Sequence, residues 1–149
     1  MDWIRITPAD LEGALNKPQL DILKAQALRT PSRDIAQDAI DAVVARVRAE
    51  IAASGINYLD ADHSRIPPEL KDCALRLAVE ALQLRVPSME ITQAQQKHAD
   101  IARQTLARVA AGELPVSRPQ CPIRTAWRRK GTVCGSSERQ ATRKTMKGL

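Results

Sequence analysis

The stretch RDIAQDAIDAVVARVRAEIAA, residues 33–53, decides the fold. Its apolar residues recur every three or four positions and so share one stripe of an α-helix: Ile35, Ala39, Ile40, Val43, Val44, Val47 and Ile51. Aspartates crowd its first half and Arg46 and Arg48 lie nearer its end, the order that the helix dipole favours. We predict one helix over this range, with Ser32 as N-cap and Ser54-Gly55 as its end.

Helix-start signals surround this stretch. Thr7, Pro8 and Asp10 supply an N-cap, a first-turn proline and an N3 acid. Thr92 and Gln95 form a second capping box, and the helix that it starts reaches Ala111, with glycine as the next residue. Prolines open the remaining two helices, which gives further predicted helices over residues 8–15, 18–28, 67–85 and 92–111.

The apolar positions of these helices predict their buried faces. In the second helix they are Leu20, Ile22, Leu23, Ala27 and Leu28. In the fourth they are Leu70, Cys73, Ala74, Leu77, Ala78, Ala81 and Leu84. In the last they are Ala94, Ile101, Ala102, Thr105, Leu106, Val109 and Ala110.

The composition agrees with a helical core. Only 2% of the 149 residues are aromatic and none is Phe, so the core is built from Leu, Ile, Val and Ala. Such side chains suit close helix packing, and no clean alternating run predicts a strand. We therefore predict an all-α bundle with two short N-terminal helices, three longer helices and an extended basic C-terminal arm.

The charge is concentrated at the C-terminus. Residues 1–119 carry a net charge of −1 and residues 120–149 a net charge of +7, which together give the chain its +6. Three prolines between 115 and 122 end the helical pattern, and TAWRRKGTVCGSSERQATRKTMKGL, residues 125–149, has no apolar stripe. We predict a helical domain over 1–114, and over 115–149 a linker and arm that become ordered only on assembly.

Candidate chemical groups are few. Asp60, Asp62 and His63 share the loop 56–66 without a second His or Cys at a ligating spacing, which favours a solvated loop over a metal site. His98 is predicted on a polar helix surface and Cys73 in the core. Two further cysteines, Cys121 and Cys134, lie in the tail without histidine partners. We expect no catalytic site, no metal and no cofactor.

The absence of signal-peptide, membrane-span and disulfide patterns predicts the cellular compartment. The N-terminus MDWIRITPADLEG has no basic region followed by an apolar core, and no apolar stretch approaches the roughly 20 residues of a membrane span. The cysteines form no CxxC pair and no even framework. We expect a protein made in a reducing cytoplasm, with no membrane partner.

Four segments carry a family resemblance: TPADL (7–11), DIAQDAIDAVV (34–44), IPPELKDCALRLA (66–78) and ARVAAGELPV (107–116). Over about residues 1–118 the chain resembles the head-to-tail connector proteins of tailed bacteriophages, also called adaptor or head-completion proteins, in particular the Mu-like branch. These segments are patterns of caps and core residues, without a catalytic signature.

The resemblance implies a structural role without catalysis. It implies a homo-oligomeric ring, usually of twelve copies, in the neck of the virion. Such a ring binds the portal protein at the capsid vertex, joins it to a tail-terminator or stopper protein, and surrounds the channel for the genomic DNA. The chain would be made in the cytoplasm of the bacterial host.

The arm admits three interpretations. As a docking arm it orders on the portal, with Trp127 as buried anchor and with these further contacts: Arg124, Arg128, Arg129, Lys130, Val133, Arg139, Arg143, Lys144, Met146, Lys147 and Leu149. As a DNA contact it uses Arg128, Arg129, Lys130, Arg143, Lys144 and Lys147 on phosphates. As the third interpretation it is a solubilising end.

The rival class is a helical nucleic-acid-binding protein that uses the arm. The body shows no helix with clustered Lys or Arg on one face, and no recognisable helix-turn-helix turn. Eight phosphate contacts would give a slope of log affinity against log salt of about −7, too strong a grip for DNA that must slide. A protein surface is therefore the favoured main target of the arm.

Overall fold

The structure is a computed structural model that describes residues 2–123, and over these residues it has five α-helices. They are α1 (Pro8–Ala14), α2 (Lys17–Arg29), α3 (Ile35–Ala53), α4 (Lys71–Arg85) and α5 (Gln93–Ala110). A 3₁₀ turn, Pro68–Leu70, leads into α4. The prediction of an all-α bundle is confirmed.

Four strands of two residues each were not predicted: β1 (Ile4–Arg5), β2 (Leu59–Asp60), β3 (Arg65–Ile66) and β4 (Pro122–Ile123). They form two antiparallel pairs, β1 with β3 and β2 with β4. The pairs tie the N-terminal segment, the connection between α3 and α4, and the last described residues to one another.

Local side-chain chemistry sets the helix ends. The predicted capping boxes at Thr7 and at Thr92 are both present, and Gly112 follows α5 with a positive φ of 78°. The predicted cap of α3 is wrong. Asp34, and not Ser32, accepts the hydrogen bond from the Gln37 amide at 3.0 Å, so α3 starts two residues later.

The core lies between α3, α4 and α5, with α1 packed on α3 and α4. Six of the seven residues predicted for the inner stripe of α3 are buried, and Ile35 is half-buried. Alanines at three of the helix contacts, Ala39, Ala74 and Ala102, are fully enclosed, and their small side chains let the helices approach closely.

The predicted faces of α2, α4 and α5 are wrong at their edges. Leu84 is 83% exposed and Leu28 is 85% exposed, while Val79 and Leu82 are buried without having been predicted. The reason is that α4 packs against α3 and α5 at once, so its buried face is wider than one stripe and is rotated away from Leu84. Three other residues predicted as buried, Ala27, Ala94 and Ile101, are exposed.

Candidate functional site: the root of the C-terminal arm

Residues 115–123, which we call the strap, lie along the helical body. The Val116 amide donates to Asn57 Oδ1 at 3.2 Å, and Trp3 Nε1 donates to the Ser117 carbonyl at 2.9 Å. The Ser117 hydroxyl donates to Glu69 at 3.0 Å. Partners from three separate parts of the chain thus hold two consecutive residues of the strap.

The last two residues of the strap form the strand β4. β4 pairs with β2 in the register Leu59 with Ile123 and Asp60 with Pro122, and the Ala61 amide donates to the Cys121 carbonyl at 3.0 Å. Pro119, three residues before β4, is buried. Because the arm continues directly after Ile123, its starting point is fixed on the body by backbone hydrogen bonds.

Arg48 of α3 is the central side chain beneath this strand pair. It is only 6% exposed, and its guanidinium donates to three backbone carbonyls: Asp62 at 3.0 Å, Arg65 at 2.8 Å and Asp60 at 2.7 Å. The Trp3 ring lies 5.8 Å from it. One side chain therefore holds the turn between β2 and β3, and through β2 it supports the strap.

The electrostatics of Arg48 are those of a buried cation. Burial lowers the pKa of the Arg48 guanidinium, and the carboxylates of Asp60 and Asp62 act in the opposite direction. A guanidinium stays protonated in proteins, so a full positive charge lies under the strap, balanced by carbonyl dipoles and nearby carboxylates. The sequence placed Arg48 near the C-terminal end of α3, where it is found, and the structure adds that this side chain is buried.

In the loop 56–66, Asp62 and His63 are exposed, as the prediction of a solvated loop requires, but Asp60 is buried. Asp60 is 5% exposed and its Oδ1 accepts from the Asp62 amide at 2.8 Å. The hydrogen bonds that Asp62 accepts from Ser64, and then the charges of Arg65 and Arg5, lower the pKa of the Asp62 carboxyl. These carboxylates organise the turn itself, and residues 2–123 hold no group of three or more His, Cys, Asp and Glu that could bind a metal.

Three other features complete the arm root, by which we mean the strap, residues 57–66, Trp3 and Arg48. The Arg118 guanidinium lies 4.6 Å from the centre of the Tyr58 ring. Asn57 is 8% exposed, and its Nδ2 has no acceptor among the described residues although its Oδ1 is bonded. Ile123 is exposed beside the point where the arm begins.

The predicted contact residues of the arm, from Arg124 to Leu149 and including Trp127, lie outside the described residues, as does Cys134. Of the other candidates, His98 is exposed, Cys121 is exposed and Cys73 is half-buried. Burial raises the pKa of the Cys73 thiol, which keeps it protonated at neutral pH.

Two open grooves lie away from the arm root. One, of about 270 Å³, runs between α1, α4 and α5 and is lined by residues that include Asp72, Arg76 and His98. The other, of about 280 Å³, lies where α1, α2 and the start of α3 meet, and its lining includes Leu23 and Ile35.

None of the helices within residues 2–123 has the length and apolar character that crossing a membrane requires. No protein-family model, curated protein or solved structure matches this chain.

Sequence reasoning missed three residues of the arm root: Trp3, Arg48 and Asn57. Arg48 carried a usable signal, because it lies within the apolar stripe of α3, one residue after Val47 and three before Ile51. Trp3 and Asn57 act through contacts with residues 114 and 59 positions away, which no local pattern indicates.

Proposed function

We propose that this chain is a head-to-tail connector of a tailed bacteriophage, a structural protein of the virion neck. In this proposal copies form a ring, the arm docks on the portal protein, and the ring joins the portal to the tail or its stopper around the DNA channel. The observation that carries the proposal is the arm root, a fixed origin for a long basic arm on a nearly neutral helical body.

A fixed attachment point for the arm favours docking because it lowers the conformational entropy that the arm loses on binding. The strap ends in a strand pair supported by Arg48, so the arm is attached to the body at a defined place. The 26 residues beyond Ile123 reach at most about 90 Å when fully extended, enough to reach a neighbouring protein in a ring.

The body suits the ring part of the proposal. A ring requires two different faces of each subunit in contact, and a body with a net charge near zero can pack against copies of itself without strong repulsion. The connector resemblance over residues 1–118 supplies the expectation of twelve copies.

The first experiment separates the arm from the body. A chain ending at Ile123 keeps the strap, whereas a chain ending at Pro119 would also remove β4 and confuse docking with folding. We expect the chain ending at Ile123 to fold like the full chain and to lose attachment to the portal protein of the same phage. The readouts are native mass spectrometry for ring size and co-sedimentation for attachment. Undiminished attachment of the shortened chain would refute docking by the arm.

The second experiment tests the predicted anchor. Trp127→Ala is expected to weaken attachment by about 2 kcal/mol or more if this side chain is a buried hot spot. Thr132→Ala, in the same arm and outside the predicted contact set, is the matched control and should change attachment by less than about 0.5 kcal/mol. Equal effects of the two variants would show that Trp127 is not the anchor.

A further inference from the structure

Two arginines of the body lie directly opposite each other in the β1–β3 pair. Arg5 is the cross-strand partner of Arg65, and the neighbouring pair in the ladder is Ile4 with the fully buried Ile66. Side chains alternate between the faces of a strand, so both arginines project to the face opposite the isoleucines, where they are exposed. Like charges at this spacing repel each other, which makes the pair unfavourable unless an anion lies between them.

The structure supplies one carboxylate for these two cations. Asp62 Oδ2 lies 3.1 Å from Arg65 Nε, and Asp62 Oδ1 is already occupied by the amide and hydroxyl of Ser64. Among the described residues no carboxylate contacts Arg5 directly, although the charge of Arg5 also helps to lower the pKa of the Asp62 carboxyl. The pair therefore retains the capacity to bind a further anion, and guanidinium groups bind phosphate oxygens in a bidentate geometry.

Arg65 belongs to the arm root, and Arg5 lies opposite it on β1. Arg48 bonds the carbonyls of both Arg65 and Asp60, so these two backbones are within reach of one guanidinium. Asp60 in turn pairs with Pro122, the residue before the last described one. The strand pair that carries the two arginines and the strand pair that ends the strap are thus joined through the guanidinium of Arg48.

The surroundings favour a nucleic acid over a protein surface. Protein interfaces have an apolar centre, whereas phosphate contacts use arginines, hydroxyl groups and backbone amides. None of the large apolar side chains that are exposed within residues 2–123 belongs to the segments 2–7 or 61–66, and the exposed Ile123 belongs to β4, which pairs with β2 and not with β1 or β3. Around the pair lie the exposed His63 and the half-buried Ser64.

We propose that Arg5 and Arg65 together form a contact site for the phosphates of duplex DNA at the side of the arm root. The site reads no sequence and provides two phosphate contacts, a grip weak enough for DNA to slide. It does not depend on the connector role, because it concerns the body alone.

The test is the salt dependence of DNA binding by the full chain, measured by fluorescence anisotropy with a short labelled duplex. Loss of two phosphate contacts in R5S/R65S should make the slope of log affinity against log salt about 1.8 less negative. Between 50 and 200 mM NaCl the variant should then lose about 12-fold less affinity than the unchanged chain. The single variant R5S, which removes a side chain without a hydrogen-bond partner among the described residues, should show about half of this slope change.

The matched control is K17S/K24S, which removes the same charge from exposed positions of α2. An equal slope change in this control, or an unchanged slope in both arginine variants, overturns the proposal. So does a loss of poly-L-glutamate binding by R5S/R65S with DNA binding unaltered, which would indicate an acidic protein partner. Ring size measured on the same samples reports separately on the connector proposal.

Discussion

At the end of the body where α3 finishes, Arg48 donates three hydrogen bonds to backbone carbonyls and supports the strap. At the opposite end, where α3 begins, Leu28 and Leu84 are 85% and 83% exposed. Leu84 belongs to this end because the adjacent Arg85 donates to the Asp38 carbonyl in the first turn of α3 at 3.3 Å. We call it the open end.

The two ends differ in whether their interactions are directional. Hydrogen bonds at the arm root specify both distance and angle, so they define where the strap lies. Apolar side chains at the open end specify neither, because hydrophobic burial is non-directional. Hydrogen bonds therefore set the position of the strap, whereas apolar packing stabilises most of the helical body.

The variant with the largest expected effect is Arg48→Met, which breaks the arm root. It leaves three carbonyls without their donor in a buried place, and we expect a loss of about 3 to 4 kcal/mol in the free energy of unfolding. Urea denaturation measures it. Arg46→Met, an exposed position of the same helix, should cost less than about 0.5 kcal/mol. A comparable loss in both variants would contradict the central role of Arg48.

The next comparison sharpens the assignment of the open end. Leu82→Ala removes a fully buried side chain of α4 and should cost about 3 kcal/mol. Leu84→Ala, two residues further along the same helix, should cost less than about 0.5 kcal/mol because its side chain already faces solvent. Thermal and urea denaturation of both variants give the two values. A larger loss of stability for Leu84→Ala than for Leu82→Ala would show that α4 buries the face that the sequence predicted.

The smallest effect concerns Asp10, which closes the capping box of α1 and bonds Lys71 at 2.7 Å. The hydrogen bond from Lys71, followed by those from Thr7, lowers the pKa of Asp10 from 3.8 to about 2. A lowered pKa contributes stability above pH 4, and this contribution disappears as the pH falls from about 4 to 2. Asp10→Asn should therefore cost about 1 kcal/mol at pH 7, after allowance for solvent screening.

The pH dependence checks the same residue. The stability difference between Asp10→Asn and the unchanged chain should shrink below pH 4 and be nearly absent at pH 2. Asp21→Asn, at an exposed position of α2 without an ion pair among the described residues, is the control. A difference for Asp10→Asn that stays constant between pH 7 and pH 2 would show that its charge is not the cause.

The helices were predictable because their signals are local. Thr7, Thr92 and Gly112 act within four residues of themselves, and the stripe of α3 repeats over five turns. The strands were not predictable, since a strand of two residues has no period. Their pairings join positions about 60 residues apart, such as Arg5 with Arg65 and Leu59 with Ile123.

The arm root was predictable only in part. Its basic continuation is plain in the sequence, but the strap reads there as a proline-rich linker because its hydrogen bonds come from Trp3, Asn57 and Ala61. The charge order of α3 does not indicate that Arg48 is buried, whereas its place in the apolar stripe does. The Arg5 and Arg65 pair required the register of β1 and β3.

The attachment of the strap also has a mechanical consequence. If a partner holds the arm, tension enters the body at Ile123, is transmitted across the β4–β2 pair, and reaches α3 through the guanidinium of Arg48. Hydrogen bonds weaken steeply when their geometry is distorted. This series of bonds therefore resists a small pull and breaks abruptly under a larger one. The long helix at the centre of the fold is thereby the element against which a pull on the arm is resisted.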